Sequence, residues 1–95
     1  MSFALVNRIS VDSAAEADQI VNAFRHRSGK VDLQPGFERF EVWRELEGKE
    51  VLVLTRWSRR EDYEAWIASP AFREAHQHAG NSPGSAAGSA YEIVL

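Results

Sequence analysis

Phe3-Ala4-Leu5-Val6-Asn7-Arg8-Ile9-Ser10-Val11 opens the chain, and its period-two alternation predicts a strand over about Ser2 to Val11. Successive side chains of a strand point to opposite faces, so Phe3, Leu5, Asn7, Ile9 and Val11 share one face. Every member of that set except Asn7 is apolar, which makes it the buried face and Asn7 the polar exception. A buried amide without partners costs about 1–3 kcal/mol. Asn7 therefore either bonds a neighbouring backbone group or faces a cavity where a ligand needs a hydrogen bond.

The segments that follow complete the frame. Asp12 or Ser13 caps a helix whose apolar positions Ala17, Ile20, Val21 and Phe24 follow helical spacing, and which fades near Ser28-Gly29. Gln34-Pro35-Gly36 is a turn. Phe37 to Glu45 and Glu50 to Trp57 then read as two strands of a hairpin around Leu46-Glu47-Gly48-Lys49. The second is apolar on both faces, with Val51 and Val53 on one and Leu52 and Leu54 on the other. Helices can cover only one face of so small a sheet, so the second apolar face predicts an identical subunit packed sheet to sheet. Ser58-Arg59-Arg60-Glu61 reads as a capping box, and Tyr63, Trp66 and Ile67 fall on one face of the helix it opens. Ser69-Pro70 breaks that helix, with Ser69 as cap and Pro70 as first residue of a short helix carrying Phe72 and His76. Gly80 to Ala90 is small, polar and read as a mobile loop, and Tyr91 to Leu95 as the last strand. The order βαββαβ predicts one α+β domain over residues 1–95, a ferredoxin-like sandwich of a four-stranded antiparallel sheet with helices on one face.

Composition narrows the function classes. A net charge of −3 gives no support to nucleic-acid binding. The absence of Cys removes disulfides, thiolate metal sites and thiol catalysis. No apolar run approaches a membrane span and the N-terminus carries no signal-peptide pattern, so a cytoplasmic protein is expected. With 95 residues the interior is small, and a large ligand needs a pocket at the edge of the core.

Trp66 and His76 stand ten residues apart. On one straight helix they would lie about 15 Å apart and diverge by roughly 80°. The Ser69-Pro70 break lets a restarted helix turn His76 back toward Trp66. The expectation is a pocket between helices and sheet holding an amide, an indole and an imidazole. Each residue also has a plainer reading: Asn7 bonded to nearby backbone or water, Trp66 in the core, His76 and His78 at a helix end that suits their charge. His26, beside Arg25 and Arg27, reads as part of a solvated helix face.

Taken together, Asn7 on the first strand, Pro35-Gly36-Phe37, Thr55-Arg56-Trp57, Ala65-Trp66 and Ser69-Pro70-Ala71-Phe72-Arg73-Glu74-Ala75-His76 resemble the Isd-type heme-degrading monooxygenases of the antibiotic-biosynthesis monooxygenase superfamily. The likeness covers nearly the whole chain, and the combination of Asn7, Trp66 and His76 is its specific part. It implies a homodimer, each subunit binding one heme as both cofactor and substrate, with O2 and an external electron donor such as a reductase. By position, the resemblance makes His76 the iron ligand, Asn7 a hydrogen-bonding group on the oxygen side, and Trp66 the side chain that presses the porphyrin out of plane. Neutral imidazole ligation, polar groups on the opposite side and macrocycle distortion are recognised ways of tuning heme iron. Arg27, and more loosely Arg25, would meet the propionates, and Phe24 the ring. His78 is a second imidazole close to the implied ligand.

Two other functions fit the same frame. Relatives in the superfamily oxidise quinols or polyketides without a cofactor, with Tyr63 and Trp66 lining the pocket and His76 as a general base. A non-enzymatic heme-binding protein of this common fold is the other.

Overall fold

Alternation in the first strand and in the hairpin sets the architecture. The computed structural model describes residues 2–27, 29–76 and 86–95. Its elements are β1 (Phe3–Ser10), α1 (Ala14–Arg25), β2 (Phe37–Arg44), β3 (Glu50–Trp57), α2 (Arg60–Ile67), α3 (Pro70–His76) and β4 (Ala86–Glu92), with a 3-10 turn at Lys30–Leu33. The sheet runs β2-β3-β1-β4, every neighbouring pair antiparallel. This is the expected ferredoxin-like sandwich.

The period-two reading of β1 places its faces correctly. Phe3 pairs with Trp57, Leu5 with Thr55, Asn7 with Val53 and Ile9 with Val51. These positions face the helices and build two apolar clusters. One joins Ile9, Val11, Val51 and Val53 to Ala17 and Ile20 of α1. The other joins Phe3 and Trp57 to Val31 and Trp66. Phe40 of β2 packs against both. Burying a Val or Ile side chain contributes about 1.5–3 kcal/mol, so these rows hold the helices to the sheet. Val51 and Trp57 are wholly buried.

Leu52 and Leu54 are half-buried on the opposite face, as the two-sided pattern of β3 requires. Tyr91 and Trp43 share that face and are 45% and 49% exposed. No helix among the described residues is long and apolar enough to cross a membrane.

Three local expectations are corrected. Ser58 does not cap α2: the cap position is Arg59, without a side-chain bond, because the Ser58 hydroxyl donates to Glu38 Oε2 at 3.1 Å. Glu38 sits at the irregularity between Phe37 and Arg39, where Arg56 donates to it at 2.7 Å. That guanidinium, with help from the Ser58 and Ser2 hydroxyls and against some desolvation, holds the Glu38 carboxyl below the usual range. Second, β4 starts at Ala86, not Tyr91: residues expected in a loop form the strand that pairs with β1 from Phe3 to Ile9. Ala, Gly and Ser have low strand preference, and pairing to a central strand overrides it. Third, Ile67 is 39% exposed, so the inward face of α2 narrows to Tyr63 and Trp66. The expected loop over residues 80–85 lies outside the described residues, as does His78.

The Pro35-Gly36 turn has a steric cause. Gly36 has φ +80°, and a Cβ there would overlap the Asp62 carboxylate of α2. Only glycine allows the turn to close against that helix.

Candidate functional site

Asn7 is half-buried rather than fully buried, and its place explains why. Its neighbours on the same face of β1 are Leu5, packed on the Trp57–Trp66 cluster, and Ile9, in the cluster beneath α1. Asn7 therefore occupies the seam between the two apolar clusters. Across the ladder it meets Val53 on β3 and Gly88 on β4. Among the described residues its side chain takes part in no hydrogen bond. The reading of Asn7 as an amide satisfied by nearby backbone is thus not what the described residues contain. The helix contacts fall mainly on β2 and β3, which leaves the β1–β4 side of this face less covered.

Trp66 is 6% exposed. It stands edge-on to Phe72 of α3, with ring centroids 5.5 Å apart and planes at 85°. On its other side lie Phe3, Trp57 and Tyr63, the last 5.5 Å from Phe3 and 6.0 Å from Trp57. Burial pushes the Tyr63 hydroxyl up, so it remains a neutral phenol at physiological pH. Trp66 shares the helix-facing side of the sheet with Asn7, and its indole N–H donates no hydrogen bond among the described residues.

Ser69 and Pro70 restart the helix as the sequence requires. Ser69 Oγ accepts from the Phe72 amide at 3.2 Å and donates to the Trp66 carbonyl at 2.6 Å. One hydroxyl so ends α2 and begins α3, fixing the bend between Trp66 and the helix that ends at His76. Ser69→Ala is expected to cost about 1 kcal/mol, read as a lower urea midpoint with an unchanged slope. His76 is the final residue of α3.

Phe24 and Arg27 converge on Phe40. Phe24 lies 6.0 Å from that ring, and the Arg27 guanidinium sits 4.0 Å above its centroid. Both terminal nitrogens of Arg27 donate to Asp32 at 3.0 Å, a bidentate pair on the 3-10 turn. Arg27 is thus a preformed carboxylate-binding fork already holding a carboxylate. Arg25 is apart from these: it borders an open groove of about 570 Å³ between α1 and β2. A smaller concavity, about 210 Å³, lies where Phe3, Ala90 and Glu92 meet Arg60. Neither concavity is bordered by Asn7 or Trp66. His26 ring Nδ1 lies 2.9 Å from the Asn22 carbonyl, a contact within its own helix. No cluster of three or more His, Asp or Glu suited to a metal ion occurs among the described residues.

Two residues are not singled out by the sequence: Gly88 falls in the expected loop, and Phe40 within the expected second strand. A glycine inside a strand marks close approach of another group, and that signal was present in Ala87-Gly88-Ser89. The donor set suits a flat, apolar ligand with one polar centre and carboxylate arms: an amide without a partner among the described residues, an indole, a tilted phenyl pair and an arginine fork.

The sequence profile described as antibiotic biosynthesis monooxygenase matches residues 2–78. The heme oxygenase (staphylobilin-producing) of Staphylococcus haemolyticus is 38% identical over 79 residues, covering 80% of this chain and 74% of that protein. A heme-degrading monooxygenase of Bacillus thuringiensis subsp. konkukian is 39% identical over 61 residues, 61% of this chain and 57% of that protein, so the match spans little more than half of that relative. Among solved structures, the heme-degrader MhuD of Mycobacterium tuberculosis, with two hemes bound in its active site, superposes with a TM-score of 0.80 at 30% identity, covering 98% of this chain and 96% of that one. SnoaB of Streptomyces nogalater, a cofactor-independent oxygenase, gives a TM-score of 0.79 at 21% identity over 99% and 94% of the two chains, which shows a shared fold.

Proposed function

Since the chain belongs to the antibiotic biosynthesis monooxygenase family, we propose that it is a heme-degrading monooxygenase, opening the porphyrin with O2 and external electrons and releasing iron. The observation that carries the reading is Asn7, an amide without a partner among the described residues, set between two apolar clusters on the helix-facing side of the sheet. Half-buried and bonded to none of the described residues, this amide is open to a ligand that can use it.

Heme, when bound, supplies the iron at which oxygen is activated and the ring that is opened. This chain's residues do the rest. His76, at the end of α3, would hold the iron through a neutral imidazole. Asn7 would donate its amide N–H on the oxygen side. Trp66, backed by Phe72 and Phe3, would give the ring a rigid apolar wall and exclude water from it. Phe24 would meet the ring edge, and Arg27 would exchange Asp32 for a propionate.

The same reading makes the protein a homodimer and gives it a cytoplasmic electron donor. Leu52, Leu54, Trp43 and Tyr91 form the apolar face a second copy would cover.

The test is a hemin titration of purified protein followed by ascorbate or a reductase under air. The expected result is a Soret band that saturates at defined stoichiometry, then bleaches as iron is released. Stable heme under reductant would make the protein a carrier. Absence of a Soret band together with quinol-dependent oxygen uptake would replace heme with a small aromatic substrate.

A further inference from the structure

We propose that Gly88 of β4 is a positioning residue for Asn7, setting the direction of its amide by leaving out a side chain. The inference rests on the reading of Asn7 as a group that acts on heme. Gly88 lies directly opposite Asn7 in the β1–β4 ladder. A Cβ built on Gly88 would stand 2.8 Å from Asn7 Oδ1 and 4.0 Å from its Cγ. The Asn7 amide thus leans across the strand into the space a side chain at position 88 would occupy. On its other flank, β3 presents the buried Val53, which closes that direction. A valine fills one flank, a glycine leaves the other open, and the amide lies toward the open one.

Gly88 is not required by its own backbone. The described glycines with positive φ are Gly29, Gly36 and Gly48, so position 88 has a conformation open to any residue. Glycine weakens a strand, and alanine there would favour β4 slightly. The one obstacle to a side chain is the end of Asn7, a group that can rotate aside. Substitution at 88 therefore redirects the amide while the fold stands. Exchanging the amide oxygen and nitrogen does not relieve the contact, so the whole amide must swing away from the new Cβ.

The experiment is Gly88→Ala, alone and combined with Asn7→Ala. In the heme-free protein, the Asn7 side-chain NH2 resonances are expected to move while backbone amides outside β1 and β4 stay in place. In the heme-loaded protein, the Soret-titrated affinity should stay within about threefold of the parent, while kcat falls about tenfold or more, as a displaced positioning group implies. Affinity of the ferric complex for cyanide should shift as well. In the Asn7→Ala background, Gly88→Ala should change none of these. Unmoved Asn7 resonances, or a kcat loss of equal size in both backgrounds, would overturn the assignment. Should Gly88→Ala fail to fold, restoration of folding by Asn7→Ala supports the same conflict, and lack of restoration overturns it. If the parent protein binds no heme, the functional reading falls, and the heme-free resonances still decide whether Gly88 directs Asn7.

Discussion

His76→Ala, with His78 left intact, is expected to weaken heme binding by at least about a hundredfold, more than loss of an outer-shell partner usually costs. The expected spectrum is a broad, shifted Soret band of unligated hemin. The argument runs through the chain between Trp66 and His76. A continuous helix would carry His76 far from the face that Trp66 presents. The Ser69 hydroxyl, bonded both to the Trp66 carbonyl and to the Phe72 amide, divides the segment into α2 and α3. Trp66 and Phe72 then meet edge to face across the bend. The second helix so starts from a fixed orientation, and His76 ends it one turn beyond Phe72. A parental Soret band in His76→Ala, lost only when His78 is also replaced, would move the ligand to His78.

Asn7→Ala is expected to bind heme with little change and to lose about two to three orders of magnitude in kcat, the range seen when one donor aimed at developing charge is removed. The effect belongs to turnover because the amide spends nothing on holding its own fold: it has no partner among the described residues. Removing it therefore orphans no other group, and the stability change should be small. The same variant measured by urea denaturation separates the two roles. A large loss of stability with unchanged kcat would return Asn7 to a structural part.

Much of the fold was legible because the alternation was unambiguous. The odd-numbered row of β1 and the two-sided β3 each describe a face, and the faces are where the structure puts them. The α1 stripe was equally plain, with Ala17 and Ile20 buried. Failures came where a long-range partner outbid a local signal. Ser58 has the right neighbour for a capping box, yet Glu38, twenty residues away, takes its hydroxyl. Ala86 to Ala90 have nothing in their side chains to announce a strand; the announcement is in β1, which needs a second neighbour. The site follows the same division. Asn7 and Trp66 stand out as candidates because each interrupts or completes a pattern. Arg27 was expected to be available for a propionate, and only the structure shows Asp32 in its grip. Gly88 reads as loop among its Ala and Ser neighbours, and its glycine signal gains meaning only once β4 is known to be a strand.

The division of the interior into two clusters, bridged by Phe40, gives the substrate a second part to play. A flat apolar molecule seated at the seam would complete an interior that 95 residues leave unfinished, acting as a removable piece of core. Binding it then tightens the whole domain by mass action. If that molecule is heme, opening the macrocycle would remove the piece, since a cleaved, more polar chain would not fill the seam. Each turnover would thus end with the protein loosened around its product, so the reaction itself weakens the grip that must be released.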